Sequence, residues 1–380
     1  MSRRRDYSKH KNQAAARQRE QSRAGREIGS IPPIADPQRL AAAERSFRNF
    51  CDQYFPAKFT LPWSEDHLTV IDRIEQAVLH GRQFAVAMPR ASGKTTLTEV
   101  AVLWSLLMGH HHFVVLVAAT ADQANTMLGN LKSELAGNDL LLADFPAATF
   151  PIRALEGETR RCSGQIHHGR RTNIGWASDQ ITLPSIPGAP SSGAVVRVSG
   201  ITGSIRGMLH TRPDGTSIRP SLAILDDVQT DESARSLSQC AARLSTINGA
   251  ISNLAGPGKP MAMLAAMTVI AEGDLADQLL NRDQHPEWHG ERFRMVYSFP
   301  ENKARWQEYS DLRQAELAAG GDGSQATAFY RKHREEMDAG AEVAWPARKL
   351  PDEESALQHA MNLKLADEAA FQLDFCPFGC

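Results

Sequence analysis

The sequence predicts an α/β fold: a mainly parallel central sheet with helices on both faces. Three observations carry that expectation. Short apolar runs alternate with stretches of helical length, the rhythm that parallel crossovers require. Phe84-Ala85-Val86-Ala87-Met88 runs straight into Pro89 and a small-residue loop that ends in Gly93-Lys94-Thr95. Finally, Leu222-Ala223-Ile224-Leu225 stops at two carboxylates, Asp226 and Asp227.

In chain order, residues 1–30 come first, with nine Lys and Arg against three acids, a net +6 in a chain whose total is -2. One aromatic and few aliphatics cannot offset the ordering entropy of that segment, so a basic, disordered arm is expected over 1–40. It is either a solvated tail or an arm resting on phosphates. An α/β body is expected over 41–300. Within it, 84–88 reads as a buried strand, 95–108 as a helix, 113–118 as a second buried strand and 121–135 as a second helix. Further buried strands are expected at 194–198, 222–225 and 261–266. Loop-rich joints fall at 184–193, 213–220, 255–260 and 320–324. No repeat occurs at solenoid periods.

Composition narrows the function classes. Over 380 residues, 42% hydrophobic content suffices for a sizeable core, and the near-neutral total excludes a global basic signature for nucleic acid. A local basic stripe remains compatible with it. No apolar run approaches the ~18 residues of a membrane span. Five cysteines, an odd count with no signal-peptide pattern, argue against a disulfide framework. His110-His111-His112 and His167-His168 read as loop residues, because adjacent histidines rarely converge on one ion. Cys376 and Cys380 lack the second ligand pair of a zinc site.

The chemistry concentrates in Met88-Pro89-Arg90-Ala91-Ser92-Gly93-Lys94-Thr95-Thr96. A phosphate-binding loop needs inward backbone N–H groups, a glycine where a side chain would collide, a lysine for the outer phosphates and a hydroxyl for Mg²⁺. Gly93, Lys94 and Thr95 supply the last three at a helix start, whose positive end favours anions. The strict pattern has glycine where this chain has Met88. Such a site also needs a carboxylate at a strand end to hold Mg²⁺. Asp226 is placed to orient the ion through water, and Asp227 to polarise an attacking water.

These residues resemble a known family. The segment from Pro89 to Thr95 is similar to the degenerate Walker A loop of bacteriophage terminase large subunits, in which the first glycine is commonly replaced and an arginine sits inside the loop. Ile224-Leu225-Asp226-Asp227 resembles the family's Walker B. Ala266-Met267-Thr268, with Glu272-Gly273-Asp274-Leu275-Ala276, resembles its coupling motif, and the stretch 200–207 its glycine-rich segment. Trp345-Pro346 and Phe371-Gln372-Leu373 resemble the way out of its ATPase domain.

The resemblance implies an ASCE-type P-loop NTPase with a short helical C-terminal extension over 301–380, using ATP and Mg²⁺. Ala91, Ser92, Gly93, Lys94, Thr95 and Thr96 would cradle the phosphates, and Thr95 and Asp226 would serve the metal. Lys94 would neutralise the β- and γ-phosphates, Arg90 would act as a cis arginine finger, and Thr268 would sense the γ-phosphate. Asp227 is one methylene shorter than the usual glutamate, and Glu232 is the nearest substitute. Trp63 lies where the family contacts the base; it is either a base platform or core. Implied partners are double-stranded DNA, a portal protein, a small terminase subunit and a homo-oligomeric ring, in the host cytoplasm and not at a membrane. Arg170, Arg171, Arg206 and Arg212 are loop arginines that could meet DNA. The resemblance runs out near 371–377, so the family's nuclease domain is expected to be missing. Two rivals stand beside this reading: a DEAD-like nucleic-acid-dependent ATPase, and a catalytically idle DNA- or capsid-binding remnant.

Overall fold

Strand β2 (Phe113–Ala118) shows the logic of the sheet: all six of its residues are buried, as a parallel strand covered on both faces must be. In the computed structural model, which describes residues 26–375, it lies in an eight-stranded sheet with β1 (Gln83–Ala87), β3 (Gly175–Trp176), β4 (Gln180–Thr182), β5 (Val195–Gly200), β6 (Leu222–Asp226), β7 (Ala262–Met267) and β8 (Glu291–Arg292). The spatial order is β8-β1-β7-β6-β2-β5-β4-β3. Every pairing from β8 to β5 is parallel; β4 and β3 add an antiparallel edge.

Alternate residues of each strand feed opposite faces. Val114 and Leu116 pack with Phe47, Phe50, Ile74 and Trp104. Helix α1 (Pro37–Arg45) adds Ala43; Phe47 and Phe50 come from α2 (Phe47–Tyr54), Ile74 from α3 (Glu65–His80) and Trp104 from α4 (Lys94–Leu107), while α5 (Ala121–Gly137) adds Met127 and Leu128. Val115 and Val117 face Val228, Ile251, Leu275 and Trp288 in the opposite layer, which includes α6 (Leu237–Thr246) and α7 (Leu275–Leu280). Gly200 is needed where β5 runs under the start of α5, since a Cβ there would stand 3.0 Å from the Ala121 nitrogen.

The expected arm ends sooner than its composition suggests. Residues 1–25 lie outside the described residues, but 26–40 are seated on the body. Ile166 N–H donates to the Arg26 carbonyl (2.8 Å), and Ile28 N–H to the Ile166 carbonyl (3.0 Å). Buried Asp144 accepts from Asp36 N–H, Arg39 and Tyr54. These backbone pairings and the charge pair, invisible to composition, offset the ordering cost there.

Beyond the sheet, β9 (Val296–Ser298) pairs antiparallel with β10 (Glu342–Val343). With α8 (Lys303–Ala318), α9 (Ser324–Asp338), α10 (Ala356–Ala366) and α11 (Glu368–Phe375) it forms a C-terminal layer around Trp306, Tyr309 and Tyr330. The layer thus starts at the strand before residue 301. His111, in the expected helix–strand loop, is buried and spends its ring nitrogens on Ser221 Oγ and the Val78 carbonyl. Burial pushes its pKa down to about 4. Among the described residues no helix is long and apolar enough to cross a membrane.

Candidate active site at the phosphate loop

The carboxyl ends of β1, β7 and β6 are level, with Ala87 opposite Met267 and Asp226 opposite Ala266. Open parallel sheets bind ligands at this edge. After β1 the chain turns at Pro89, where Ser92 N–H donates to the Pro89 carbonyl (3.2 Å). Ala91 (φ 58°) and Gly93 (φ 84°) are left-handed. Such residues aim successive N–H groups into one concavity, an anion nest. Helix α4 starts at Lys94 with Gly93 as its cap and no capping side chain, so its first amides are left for a ligand. A Cβ on Gly93 would meet nothing within 4 Å in the protein itself.

Two hydrogen bonds join this loop to the neighbouring strand ends. Lys94 Nζ donates to Thr268 Oγ1 at 2.8 Å and stands 3.8 Å from Asp227 Oδ2. Thr95 Oγ1 donates to Asp226 Oδ1 at 3.0 Å. Burial, then the adjacent Asp227 charge, push the Asp226 carboxyl up to about 7. A divalent cation is the ordinary remedy for such a crowded carboxylate pair. Asp227 adopts φ 38° directly after β6, with its N–H on the Ala266 carbonyl at 2.9 Å. Its Oδ1, like Ser92 Oγ, is buried without a protein hydrogen-bond partner. An anion nest, an ammonium, a hydroxyl paired to a carboxylate and two orphaned polar oxygens fit a nucleotide phosphate chain and Mg²⁺.

Behind Thr268 lies a buried polar network. Gln229 Nε2 donates to the Thr268 carbonyl (3.0 Å) and to Asp274 Oδ2 (2.8 Å), and its Oε1 accepts from Leu275 N–H (3.1 Å). Asp274 caps α7 and also accepts from Ile270, Ala271 and Asp277 N–H.

A cavity of about 150 Å³ opens beside the loop, lined by Phe59, Trp63, Trp345, Ser92, Gly93 and Thr96 among others. Trp63 is half-buried; its ring lies 4.7 Å from Phe59 and its indole N–H donates to Asp52. It serves packing and cavity wall together.

The structure therefore gathers Ala91, Ser92, Gly93, Lys94, Thr95, Thr96, Asp226, Asp227 and Thr268 at one edge, with Trp63 bordering it. Arg90 is exposed on the loop, and Glu232 is exposed on the short helix Asp231–Ala234. Arg170, Arg171 and Arg206 are exposed and Arg212 half-buried; among the described residues none bonds to the loop. Sequence patterns missed three residues that matter here. Gln229 follows the carboxylates by two positions. His67 stands three residues after Ser64 in a capping box, a pattern that reads as helix capping alone. Arg348 follows Trp345-Pro346.

A mutant of the large terminase ATPase domain of Thermus phage P74-26 matches 84% of this chain and 96% of its own, with a TM-score of 0.41 and 12% identity. No family model and no curated protein matches the chain.

Proposed function

We propose that the chain is a Mg²⁺-dependent ATPase of the terminase large-subunit kind, whose hydrolysis drives double-stranded DNA through a ring of subunits. One observation carries the ATPase reading: Lys94 and Thr95, adjacent at the start of α4, pair with Thr268 and Asp226 on the ends of two neighbouring parallel strands. The arginine inside the loop departs from the helicase pattern and favours the packaging motor.

In this reading the amides of 91–96 bind the phosphate oxygens, and the Lys94 ammonium leaves Thr268 and Asp227 for the β- and γ-phosphates. Mg²⁺, held by Thr95 and by Asp226 through water, would neutralise charge on the phosphates. Asp227, with one oxygen free of protein partners, orients the attacking water. Arg90 answers charge developing on the γ-phosphoryl group. Thr268, relieved of Lys94, meets the γ-phosphate, and Gln229 carries the change to α7. The base enters the cavity between Trp63 and Trp345.

The test is Mg²⁺-dependent ATP hydrolysis by wild type and Lys94→Ala, with and without duplex DNA. Hydrolysis that duplex DNA stimulates and Lys94→Ala abolishes supports the proposal. Full activity in Lys94→Ala sinks the site assignment, and strand displacement would favour a helicase.

A further inference from the structure

The phosphate loop is gripped on its carbonyl side by two side chains from outside it. Arg348 Nη2 donates to the Arg90 carbonyl at 2.7 Å. His67 Nε2 lies 2.9 Å from the Ser92 carbonyl, and its Nδ1 lies 2.7 Å from Ser64 Oγ. Burial lowers the His67 pKa, and the Ser64 N–H donates to Nδ1 in the capping box, which makes that nitrogen an acceptor and leaves the ring one N–H. A carbonyl only accepts, which puts that proton on Nε2 and makes Nδ1 the acceptor for the Ser64 hydroxyl. The gripped carbonyls bracket Ala91, the left-handed residue that turns the loop's N–H groups the other way.

Arg348 is not part of the α/β body. It lies just past β10, on the segment by which the C-terminal layer reaches the loop. Trp345, three residues earlier, sets its ring 4.4 Å from His67 and donates its indole N–H to the Pro62 carbonyl at 2.7 Å. Tyr297 of β9 donates to Asp66 Oδ2 at 2.9 Å. The same segment is sewn into its own layer: Ala344 N–H donates to the Met295 carbonyl, Met295 N–H to the Phe375 carbonyl, and the Arg348 guanidinium lies over the Phe375 ring. Among the described residues Arg348 has no carboxylate partner; a carbonyl and a ring face share its charge. A half-buried cation so placed gains from an anion arriving on the far side of the loop.

We propose that Arg348 is a positioning residue that couples the C-terminal layer to the phosphate loop, so that phosphate on the loop and the seating of residues 344–375 stabilise each other. The reciprocity is thermodynamic: whatever the layer adds to nucleotide affinity, nucleotide returns to the layer. The second half of this proposal rests on reading the loop as a nucleotide site; the grip itself does not.

Hydrogen exchange on the whole chain separates the two, using wild type, Arg348→Ala and Arg348→Lys. Without nucleotide, Arg348→Ala should exchange several-fold faster in the peptide over 88–96 as well as over 344–375, and Arg348→Lys should restore much of the protection at 88–96. Unchanged exchange over 88–96 in Arg348→Ala overturns the coupling, whatever the chain does with ATP. Trp345→Phe, which keeps the ring on His67 but loses the bond to Pro62, guards against a layer that merely unfolds: it should loosen 344–375 more than 88–96. With ATP and Mg²⁺, wild type should gain protection over both segments and Arg348→Ala over the loop alone, with KM for ATP raised about tenfold and kcat changed less. Protection of 88–96 without 344–375 in wild type overturns the reciprocity. ATP that changes exchange nowhere overturns the nucleotide reading and the reciprocity built on it.

Discussion

Lys94 and Thr268, 174 positions apart in the chain, share a 2.8 Å hydrogen bond that joins the start of α4 to the end of β7. The ammonium has Asp227 as its second neighbour, so before any phosphate arrives its charge is divided between the residue expected to sense phosphate and the residue expected to orient water. In the proposed function, a phosphate chain would compete for the same ammonium and free both.

It follows that Thr268→Val should separate binding from turnover. With its hydroxyl gone, Lys94 is no longer held back, so ATP should bind at least as tightly as in wild type. Hydrolysis should fall by about 10²-fold, the size of a lost polar contact in a transition state. Steady-state kinetics beside equilibrium binding of a fluorescent nucleotide reads both. A parallel loss of binding and turnover would make Thr268 a structural support for Lys94 instead.

Asp226 yields a pH prediction. Its folded pKa is raised to about 7, above the ~3.9 of an unfolded aspartate. Between those values the folded state holds a proton the unfolded chain has released, so stability falls as pH rises through that window and levels off above it. Asp226→Asn should flatten that slope and raise the melting temperature at pH 8 by a few degrees, while Mg²⁺-dependent hydrolysis is lost. Thermal melts from pH 5 to 8 check the sign. An unchanged slope would mean that Asp226 does not carry the titration.

The layout of the sheet was legible because its strands are nearly pure apolar runs, and 113–118, 222–226 and 262–267 fall where the periodicity places them. That Lys94, Thr95 and Asp226 should lie together could be expected because phosphate chemistry leaves few choices at a strand end, and the fold does set Thr95 on Asp226. Gln229, His67 and Arg348 were not. Each acts through the backbone of another element, and no local spacing encodes a carbonyl that comes near only after folding. Seating of 26–40 was missed for the same reason: its partners, Asp144 and Ile166, lie more than 100 residues away.

Two glycines should behave in opposite ways. An alanine at Gly93 meets no protein atom within 4 Å and carries only the strain of φ 84°, about 1–2 kcal/mol. Gly93→Ala should therefore fold, with a modestly lower melting temperature, yet lose nucleotide binding, because its methyl enters the space beside the phosphates. At Gly290 a Cβ would lie 2.6 Å from Leu280 Cα and 2.7 Å from its carbonyl oxygen. Backbone cannot move aside as a flexible side chain does, so Gly290→Ala should cost more stability than Gly93→Ala, in the range of a bad core overpacking, about 3 kcal/mol. Urea titrations of both variants decide it. Equal destabilisation would remove the case for Gly93 as a ligand-facing position.

Gln229 supports the sharpest test of how the site reaches α7. Its amide joins the Thr268 carbonyl, Asp274 and Leu275 N–H in a buried cluster. Gln229→Leu leaves all three without that partner, which should cost about 2–4 kcal/mol and lower kcat, since Thr268 loses its fixed carbonyl. Gln229→Glu keeps the shape but sets a second carboxyl against Asp274. Burial and the neighbouring charge would raise the pKa of the new group. A protonated glutamate can donate to Asp274 as the amide did, so this variant should approach wild-type stability near pH 5 and fall away as pH rises to 8. The leucine variant should show the same deficit at both. Urea unfolding at pH 5 and 8 distinguishes the two patterns. A glutamate variant as stable as wild type at pH 8 would show that Gln229 and Asp274 are not in contact, and the path from Thr268 to α7 would have to run elsewhere.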